Sequence, residues 1–396
     1  MFRGAVVFFF ALLLSGAPGW SGAWAARDGL EVDLSGYFIG AAAYVDQRRD
    51  VGLRHVGFGS DSEIHFDGSL TFENGFTVGF HGETKLEEDV GGSPRTGGRF
   101  TAEQGTAFVQ ELFVFLEGFI GRVEFGKQDG VAEQLGFIAP SLFAGVSVND
   151  PQLDPTGFNT INTRNTVNRG RNDFSRRLIY ISPRIVGLQA GVSYAPDSSA
   201  RTSNPLSVVQ GSDFDARSNQ GVFAHEGITE VGVNFVHAFD RLVVGASGTF
   251  LLAGDQGCAS VPALCPVLEN YKAWNVGANI AYGGLTLGGS YVKDNLGRQT
   301  TDYHGWEVGA TYETTSWGVM LGYGRDRAQG VGGQRTRVVE GGVNYQVARG
   351  VKIGTGVQYI KADQVGGLAL VGGGPAGPSG IDDHATVVFL ETMVSF

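Results

Sequence analysis

Apolar and polar residues alternate along most of the chain, in short segments separated by breaks of two kinds. Between residues 63 and 73, for example, Ile64 and Phe66 alternate with His65 and Asp67. A period of two places successive side chains on opposite faces of an extended backbone. Each segment therefore predicts a β-strand with one apolar and one polar face.

The breaks between these segments alternate in length. Asn74-Gly75, between two alternating segments, is the strongest short signal for a hairpin turn. The seven predicted short turns lie at Asn74-Gly75, Gly118 to Gly121, Pro183 to Gly187, Asp240, Gly283-Gly284, Thr314 to Ser316 and Ala348 to Gly350. The eight longer breaks lie near 46–62, 88–106, 129–175, 197–228, 253–270, 295–303, 327–335 and 363–383. These fifteen connections join sixteen predicted strands.

Short turns that alternate with long loops predict an all-β transmembrane antiparallel barrel of sixteen strands. A soluble propeller or large sandwich also has many short strands. The polar faces speak against these soluble folds, because a dry core could not bury groups such as Glu63, His65 and Asp67 without partners. In a barrel, the polar face borders a water-filled lumen and the apolar face meets lipid.

The chain ends inside its last alternating segment. Phe396, Val394, Leu390 and Val388 fall on one side of an extended chain. We therefore expect Phe396 to end the last strand on the lipid side, and this strand to close the barrel against the first.

The beginning of the chain is typical of an exported protein. Arg3 precedes an uncharged run at 4–14, and Ala23-Trp24-Ala25 follows a Pro/Gly break. This pattern predicts a signal peptide over residues 1–25 and a mature barrel domain over residues 26–396. A membrane anchor is the alternative, but the apolar run is shorter than the roughly 20 residues that span a bilayer.

Charge and cysteine usage exclude several other classes. The net charge of -11 and the lack of a Lys/Arg cluster argue against a nucleic-acid partner. Cys258 and Cys265 predict a short disulfide in an exported chain. Two free thiols or half a metal site are the alternatives, and no second Cys/His group lies nearby in the sequence to complete a zinc site. We expect no cofactor and no metal.

Two stretches and the last residue resemble one family. The segments ELFVFLEGFIGRVEFGKQDG (111–130) and RRLIYISPRIVGLQAGVSYAP (176–196), together with Phe396, resemble the trimeric, sixteen-stranded general diffusion porins of Gram-negative outer membranes. The resemblance implies a homotrimer in the outer membrane, in contact with lipid and lipopolysaccharide, that passes small hydrophilic solutes and ions by passive diffusion. It also implies that the outer-membrane assembly machinery recognises Phe396.

Two other functions are alternatives to passive diffusion. One is a substrate-specific outer-membrane channel, and the other is an outer-membrane barrel enzyme. The sequence contains no H-E-x-x-H motif and no G-x-S-x-G elbow, so it predicts no catalytic residues. The chain also departs from the family pattern, because Ile179 and Ile181 fall where the family usually places charged or polar lumen residues.

The break at 129–175 is the longest, and its first half is too apolar for a solvated outer loop. We expect it to fold into the barrel as a constriction loop. Its predicted constriction residues are Asp129, Glu133, Asp150, Asp154, Arg164, Arg169, Arg171 and Arg177. Acids facing bases across a passage would set up a transverse field. Alternatively, some of the arginines pair with neighbouring acids to hold the loop in place.

Alternation also predicts which strand residues line the pore. The predicted wall residues are His65, Asp67, Glu117, Arg122 and Glu124. A single β-bulge would invert any of these assignments.

Overall fold

The computed structural model describes residues 29–49, 54–93, 98–102, 108–157, 159–164, 175–197, 225–255, 269–297, 299, 302–328, 333–365 and 382–396. The strands are β1 (Leu30–Gln47), β2 (Val56–Thr71), β3 (Thr77–Ser93), β4 (Gly98–Ala102), β5 (Phe108–Gly118), β6 (Gly121–Lys127), β7 (Arg176–Ile181), β8 (Leu188–Asp197), β9 (His225–Phe239), β10 (Leu242–Asp255), β11 (Tyr271–Tyr282), β12 (Leu285–Asp294), β13 (Tyr303–Glu313), β14 (Trp317–Ala328), β15 (Gly333–Ala348), β16 (Val351–Val365) and β17 (Asp382–Ser395). One short helix, α1 (Val131–Leu135), follows β6.

Sixteen of these strands form one closed antiparallel barrel, as the sequence predicted. The short strand β4 pairs antiparallel with the outer end of β3, while the rest of β3 pairs with β5. The first and last strands close the barrel, with Tyr37 opposite Ser395 and Gln47 opposite Ala385. The predicted fold class, strand number and closure are therefore confirmed.

The described turns match the seven predicted short connections. In the first of them Gly75 has a φ of 82°, a conformation that suits glycine, and the Asn74 side chain accepts a hydrogen bond from Phe76 N. On the opposite rim the predicted breaks were too long. β2 begins at Val56 and β3 continues to Ser93, because the hydrogen-bonded ladder extends beyond the zone where apolar residues alternate.

The outer face of the barrel is apolar and carries two bands of exposed aromatic residues. Near the short turns lie Phe72, Phe119, Phe239, Tyr282, Tyr312, Trp317, Tyr345 and Phe396. Towards the long connections lie Tyr44, Phe58, Tyr194, Phe250, Trp274, Trp306 and Tyr359. Aromatic girdles at both interfaces are typical of outer-membrane barrels.

The C-terminal residue is exposed on the outer face. Phe396 N donates to Gly36 O, and Gly36 N donates to Phe396 O, so the last residue is tied to the first strand. The helix α1 is too short to cross a membrane. The described part of the chain contains no helix that is long and apolar enough to do so.

Candidate functional site

A loop leaves the barrel wall after β6, and the chain is back at the wall at Ser175, just before β7. The two ends of this loop meet, because Gln128 N donates to Ser175 O (3.2 Å). Its first element, α1, packs Val131 and Leu135 against Ile179 and Ile181 on the inner face of β7. The apolar residues Ile179 and Ile181, which differ from the family pattern, thus have a structural reason. Their side chains form the apolar surface on which α1 packs.

An ion pair on the wall holds the beginning of the loop. Arg177 Nη1 lies 2.7 Å from Glu230 Oε1, and Ala132 N donates to Glu230 Oε2 (2.9 Å). Arg177 is almost fully buried. This arginine therefore stabilises the carboxylate that binds the helix, which agrees with the alternative that some arginines anchor the loop.

After α1 the loop backbone crosses the inner face strand by strand. Phe137 N donates to Ser247 Oγ of β10 (2.8 Å), and Ala139 N donates to Glu307 Oε1 of β13 (3.0 Å). On β17, the Glu391 carboxylate accepts hydrogen bonds from three consecutive backbone groups. These donors are Ala144 N (3.0 Å), Gly145 N (3.1 Å) and Val146 N (3.0 Å).

The middle of the loop shares an apolar cluster with the wall. Its contributing loop residues are Phe143, Val146, Val148, Leu153 and Ile161. They pack against inner residues of β1 and β14 to β17, namely Ile39, Ala41, Ala43, Val45, Met320, Val338, Ile360, Ala385, Val387 and Phe389. Buried apolar side chains on an inner barrel face require such a cover, because water would otherwise contact them.

Inward-facing glycines provide room where the loop lies closest. A Cβ at Gly277 would lie 2.2 Å from the Phe137 carbonyl oxygen, and one at Gly309 would lie 2.6 Å from Pro140 O. Around Phe143, the corresponding positions are Gly342 and Gly354, each 2.5–2.6 Å from its ring. Sequence reasoning missed these positions, although a glycine in a strand interior often marks the close approach of another backbone.

The structure brings three of the predicted constriction residues together. Arg164 Nη1 lies 3.4 Å from Glu133 Oε1, and Arg164 Nε lies 3.9 Å from Asp150 Oδ2. Asp129 lies at the start of the loop, where its N–H donates to Glu111 Oε1 (3.0 Å). Burial and the nearby Glu133 and Glu111 carboxylates raise the pKa of Asp129 well above its usual value.

The fourth predicted acid has partners within the loop itself. Asp154 accepts hydrogen bonds from Thr156 N (2.8 Å), Thr156 Oγ1 (2.7 Å) and Asn159 N (2.9 Å). Burial raises the pKa of the Asp154 carboxyl, although these hydrogen bonds oppose the shift. Arg169 and Arg171 lie outside the described residues, as do the predicted signal peptide and the predicted disulfide of Cys258 and Cys265.

The five predicted wall residues all lie on the polar face of β2, β5 and β6. Arg122 connects two of them, because its Nη1 donates to Glu117 Oε2 (3.0 Å) and its Nε donates to Glu124 Oε1 (2.6 Å). His65 and Asp67 belong to a larger cluster. Their direct partners across the β2–β3 hairpin are Glu83 and His81, respectively.

Sequence reasoning missed the partners in this cluster, namely His81, Glu83 and Glu111. The signal was nevertheless present, because a tight turn at Asn74-Gly75 fixes the register of the hairpin. Residues at equal distances from Asn74 then face each other, which pairs residue 65 with 83 and residue 67 with 81. Glu111 faces Glu83 from β5 on the other side.

Comparisons with known proteins agree with this geometry. Residues 11–364 match the family model described as Gram-negative porin. An uncharacterized protein of Rickettsia typhi is 24% identical over 353 residues, which cover 74% of this chain and 76% of that protein.

Solved structures show the same fold at low sequence identity. The trimer form of OmpT, an outer membrane protein of Vibrio cholerae, has a TM-score of 0.58 and 15% identity, covering 93% of this chain and 100% of that chain. The anion-selective porin from Comamonas acidovorans has a TM-score of 0.55 and 16% identity, again covering 93% and 100%. OmpF of Salmonella typhi in complex with daunomycin has a TM-score of 0.56 and 14% identity, covering 94% and 99%.

Proposed function

The chain belongs to the Gram-negative porin family and forms an outer-membrane diffusion channel, and from this premise we propose that residues 129–175 narrow the channel as a constriction loop. The passage would lie between this loop and the charged inner face of β2, β3, β5 and β6. The observation that carries the proposal is the row of hydrogen bonds from loop backbone to inner-face side chains, from Ser247 to Glu391.

Charge supports the placement of the passage on the β2–β6 side. The apolar cluster of the loop covers part of the inner face of β14 to β17 and β1. Its side chains offer no charged or polar group to a solute on that side. Beginning at β2, which pairs with β1, the strands β2, β3, β5 and β6 present ionisable side chains instead. A polar solute loses less hydration free energy along such a face than along an apolar one.

Passive diffusion of small hydrophilic solutes is the function that this arrangement supports best. Liposome swelling with a series of uncharged sugars tests it, because swelling rates in a general diffusion channel fall steadily with solute size. A rate that saturates for one sugar and is negligible for others of equal size would instead support a substrate-specific channel. Planar bilayers provide the second measurement, and stepwise conductance is expected.

We further propose that the protein is a homotrimer in contact with outer-membrane lipid and lipopolysaccharide. The trimer form of the Vibrio cholerae neighbour supports this proposal. Native mass spectrometry of the detergent-extracted protein, before and after heating, measures the number of chains. Lipopolysaccharide that copurifies with the trimer would appear as added mass in the same experiment.

Family and fold point to a channel rather than an enzyme. We also predict that the protein has no enzymatic activity. Purified protein should release no product above background from ester, phosphoester or peptide substrates. A rate that depends on one side chain of the barrel would contradict this prediction.

A further inference from the structure

Two histidines and two carboxylates converge on the inner wall at the β2–β3–β5 sheet. His65 Nδ1 lies 3.5 Å from Glu83 Oε2, and His81 Nε2 lies 3.9 Å from the same oxygen. One ligand atom from each of His65, His81 and Glu83 lies within 4.8 Å of the others. Glu111 Oε2 also borders the cluster, at 3.7 Å from His81 Nε2.

The two ring nitrogens that point into this cluster lie 3.5–3.9 Å from carboxylate oxygens, which is too far for a good hydrogen bond. Within the described structure, His65 Nδ1 and His81 Nε2 have no hydrogen-bond partner. The two rings are only 3% and 5% exposed. Leaving a polar atom unpaired in such a position is costly, so a recurring explanation is a bound ligand.

Outer-shell partners orient the converging groups. The second ring nitrogen of His81 lies 2.7 Å from Asp67 Oδ1, so a proton on Nδ1 leaves a lone pair on Nε2 directed into the cluster. The Gln110 amide, in the orientation that satisfies its neighbours, donates to Glu83 Oε1 (2.8 Å). The Asp129 backbone N–H occupies Glu111 Oε1.

We propose that His65, His81 and Glu83 bind a divalent transition-metal ion, of which Zn²⁺ is the best fit, with Glu111 or water in the fourth position. Zinc bonds to His and carboxylate ligands are about 2.0–2.2 Å, so tetrahedral ligand atoms lie about 3.3–3.6 Å apart. The observed separations are at most 4.8 Å, so binding would require side-chain shifts of up to about 1.5 Å. Two neutral imidazoles with two carboxylates balance the charge of the ion.

Ligand type argues against the commoner alkaline-earth ions. Mg²⁺ and Ca²⁺ favour all-oxygen shells, whereas imidazole favours zinc, copper, nickel and iron. The hydrogen bond from His81 to Asp67 is the carboxylate–histidine arrangement that supports metal-binding histidines. Lys85 forms ion pairs with two other acids, at 2.8 Å from Asp61 Oδ1 and 3.2 Å from Glu63 Oε1.

Isothermal titration of the EDTA-treated, folded protein in detergent with ZnCl₂ tests the proposal. We expect one ion per chain, with Mg²⁺ at the same concentration failing to compete. His65→Ala with His81→Ala should abolish binding, and Asp67→Asn should weaken it by about 10–100-fold, the usual effect of losing an outer-shell carboxylate. His237→Ala is the matched control, because His237 lies on β9, where its ring stacks on Phe235 and meets Phe239 edge-on.

Heat-modifiability on gels shows whether each variant is folded. If the double variant does not fold, the visible spectrum of Co²⁺ bound to the native protein tests the same site. A tetrahedral nitrogen–oxygen site absorbs more strongly than aqueous Co²⁺. A native protein without stoichiometric Zn²⁺ binding, or a folded double variant that binds as well as the native chain, would overturn the proposal. Binding is measured without a membrane, so this result is independent of the proposed constriction.

Discussion

The ring of Phe143 in the loop meets the ring of Phe389 on β17 edge-on, with 4.8 Å between the centroids. Phe143 is 4% exposed and fills the space left by Gly342 and Gly354. Truncating a buried phenylalanine to alanine typically costs about 3–5 kcal/mol. The lost free energy weakens the packing of the loop on the wall. The backbone hydrogen bonds that join β15, β16 and β17 do not involve the Phe143 side chain.

Phe143→Ala should therefore release the loop from the wall while the barrel stays folded. We expect a larger and noisier single-channel conductance in planar bilayers, together with new protease cleavage within residues 137–164. Phe58→Ala is the control, because Phe58 is exposed on the outer face. A variant with native conductance and native protease resistance would show that this aromatic contact does not hold the loop.

The glycine at position 277 tests the same docking from the wall side. Gly277→Ala places a methyl group about where the Phe137 carbonyl oxygen now lies, since the built Cβ is 2.2 Å from that oxygen. The loop backbone must shift, so we expect altered conductance with an unchanged melting temperature of the barrel. Gly248→Ala is the matched control on the neighbouring strand, where a Cβ would meet nothing within 4 Å. Equal conductance in the two variants would contradict the prediction.

The sequence predicted the barrel well because its signals are local. Alternation with period two assigns a face to each residue, and it placed His65, Asp67, Glu117, Arg122 and Glu124 on the polar face. Turn chemistry located the short connections. The closure of β1 on β17 followed from an even number of strands and an apolar end.

The contacts of the loop and the histidine cluster depend on non-local geometry. Alternation says that Ile179 faces inward, but it cannot say that α1 covers it, because that contact joins distant parts of the chain. Likewise, Glu391 and Gly145 are 246 residues apart. The His65–Glu83 pair is the exception, since the turn at Asn74-Gly75 determines it. The contact of this pair with Glu111 depends on the register of β5 against β3. The long loop between these two strands does not determine that register.

The terminal aromatic residue is predicted to serve assembly as well as contact with lipid. Phe396→Ser should lower the amount of folded barrel in the outer membrane and leave export unchanged, measured as heat-modifiable protein per cell against total exported chain. Phe119→Ser is a close control, because Phe119 is also exposed (79%, against 68% for Phe396) and also lies at the short-turn rim. Equal losses in both variants would indicate that only contact with lipid matters.

The channel is predicted to prefer cations weakly. Acidic side chains predominate on the inner face of β2, β3, β5 and β6, where Asp61, Glu63, Asp67, Glu83, Glu111, Glu117 and Glu124 lie. Fixed positive charge on the same face comes from Lys85 and Arg122, both of which are paired with acids. In the loop, Arg164 contacts two acids, Glu133 and Asp150. Charges on the outer loops matter less, because salt screens them within about 8–10 Å.

The zero-current potential across a bilayer in a KCl gradient measures this preference, with EDTA present so that no divalent ion alters the wall charge. An ion passing about 4 Å from one carboxylate gains about 1 kcal/mol in bulk-like water, so one acid in a water-filled passage changes the permeability ratio by about fivefold. Asp150→Asn should reduce the cation preference and Arg164→Gln should increase it. Asp154→Asn should leave the potential near the native value, because the Asp154 oxygens accept hydrogen bonds from Thr156 and Asn159 within the loop. An anion-selective native channel, or a potential unchanged by Asp150→Asn, would mean that the arginines of the loop's second half govern the passage.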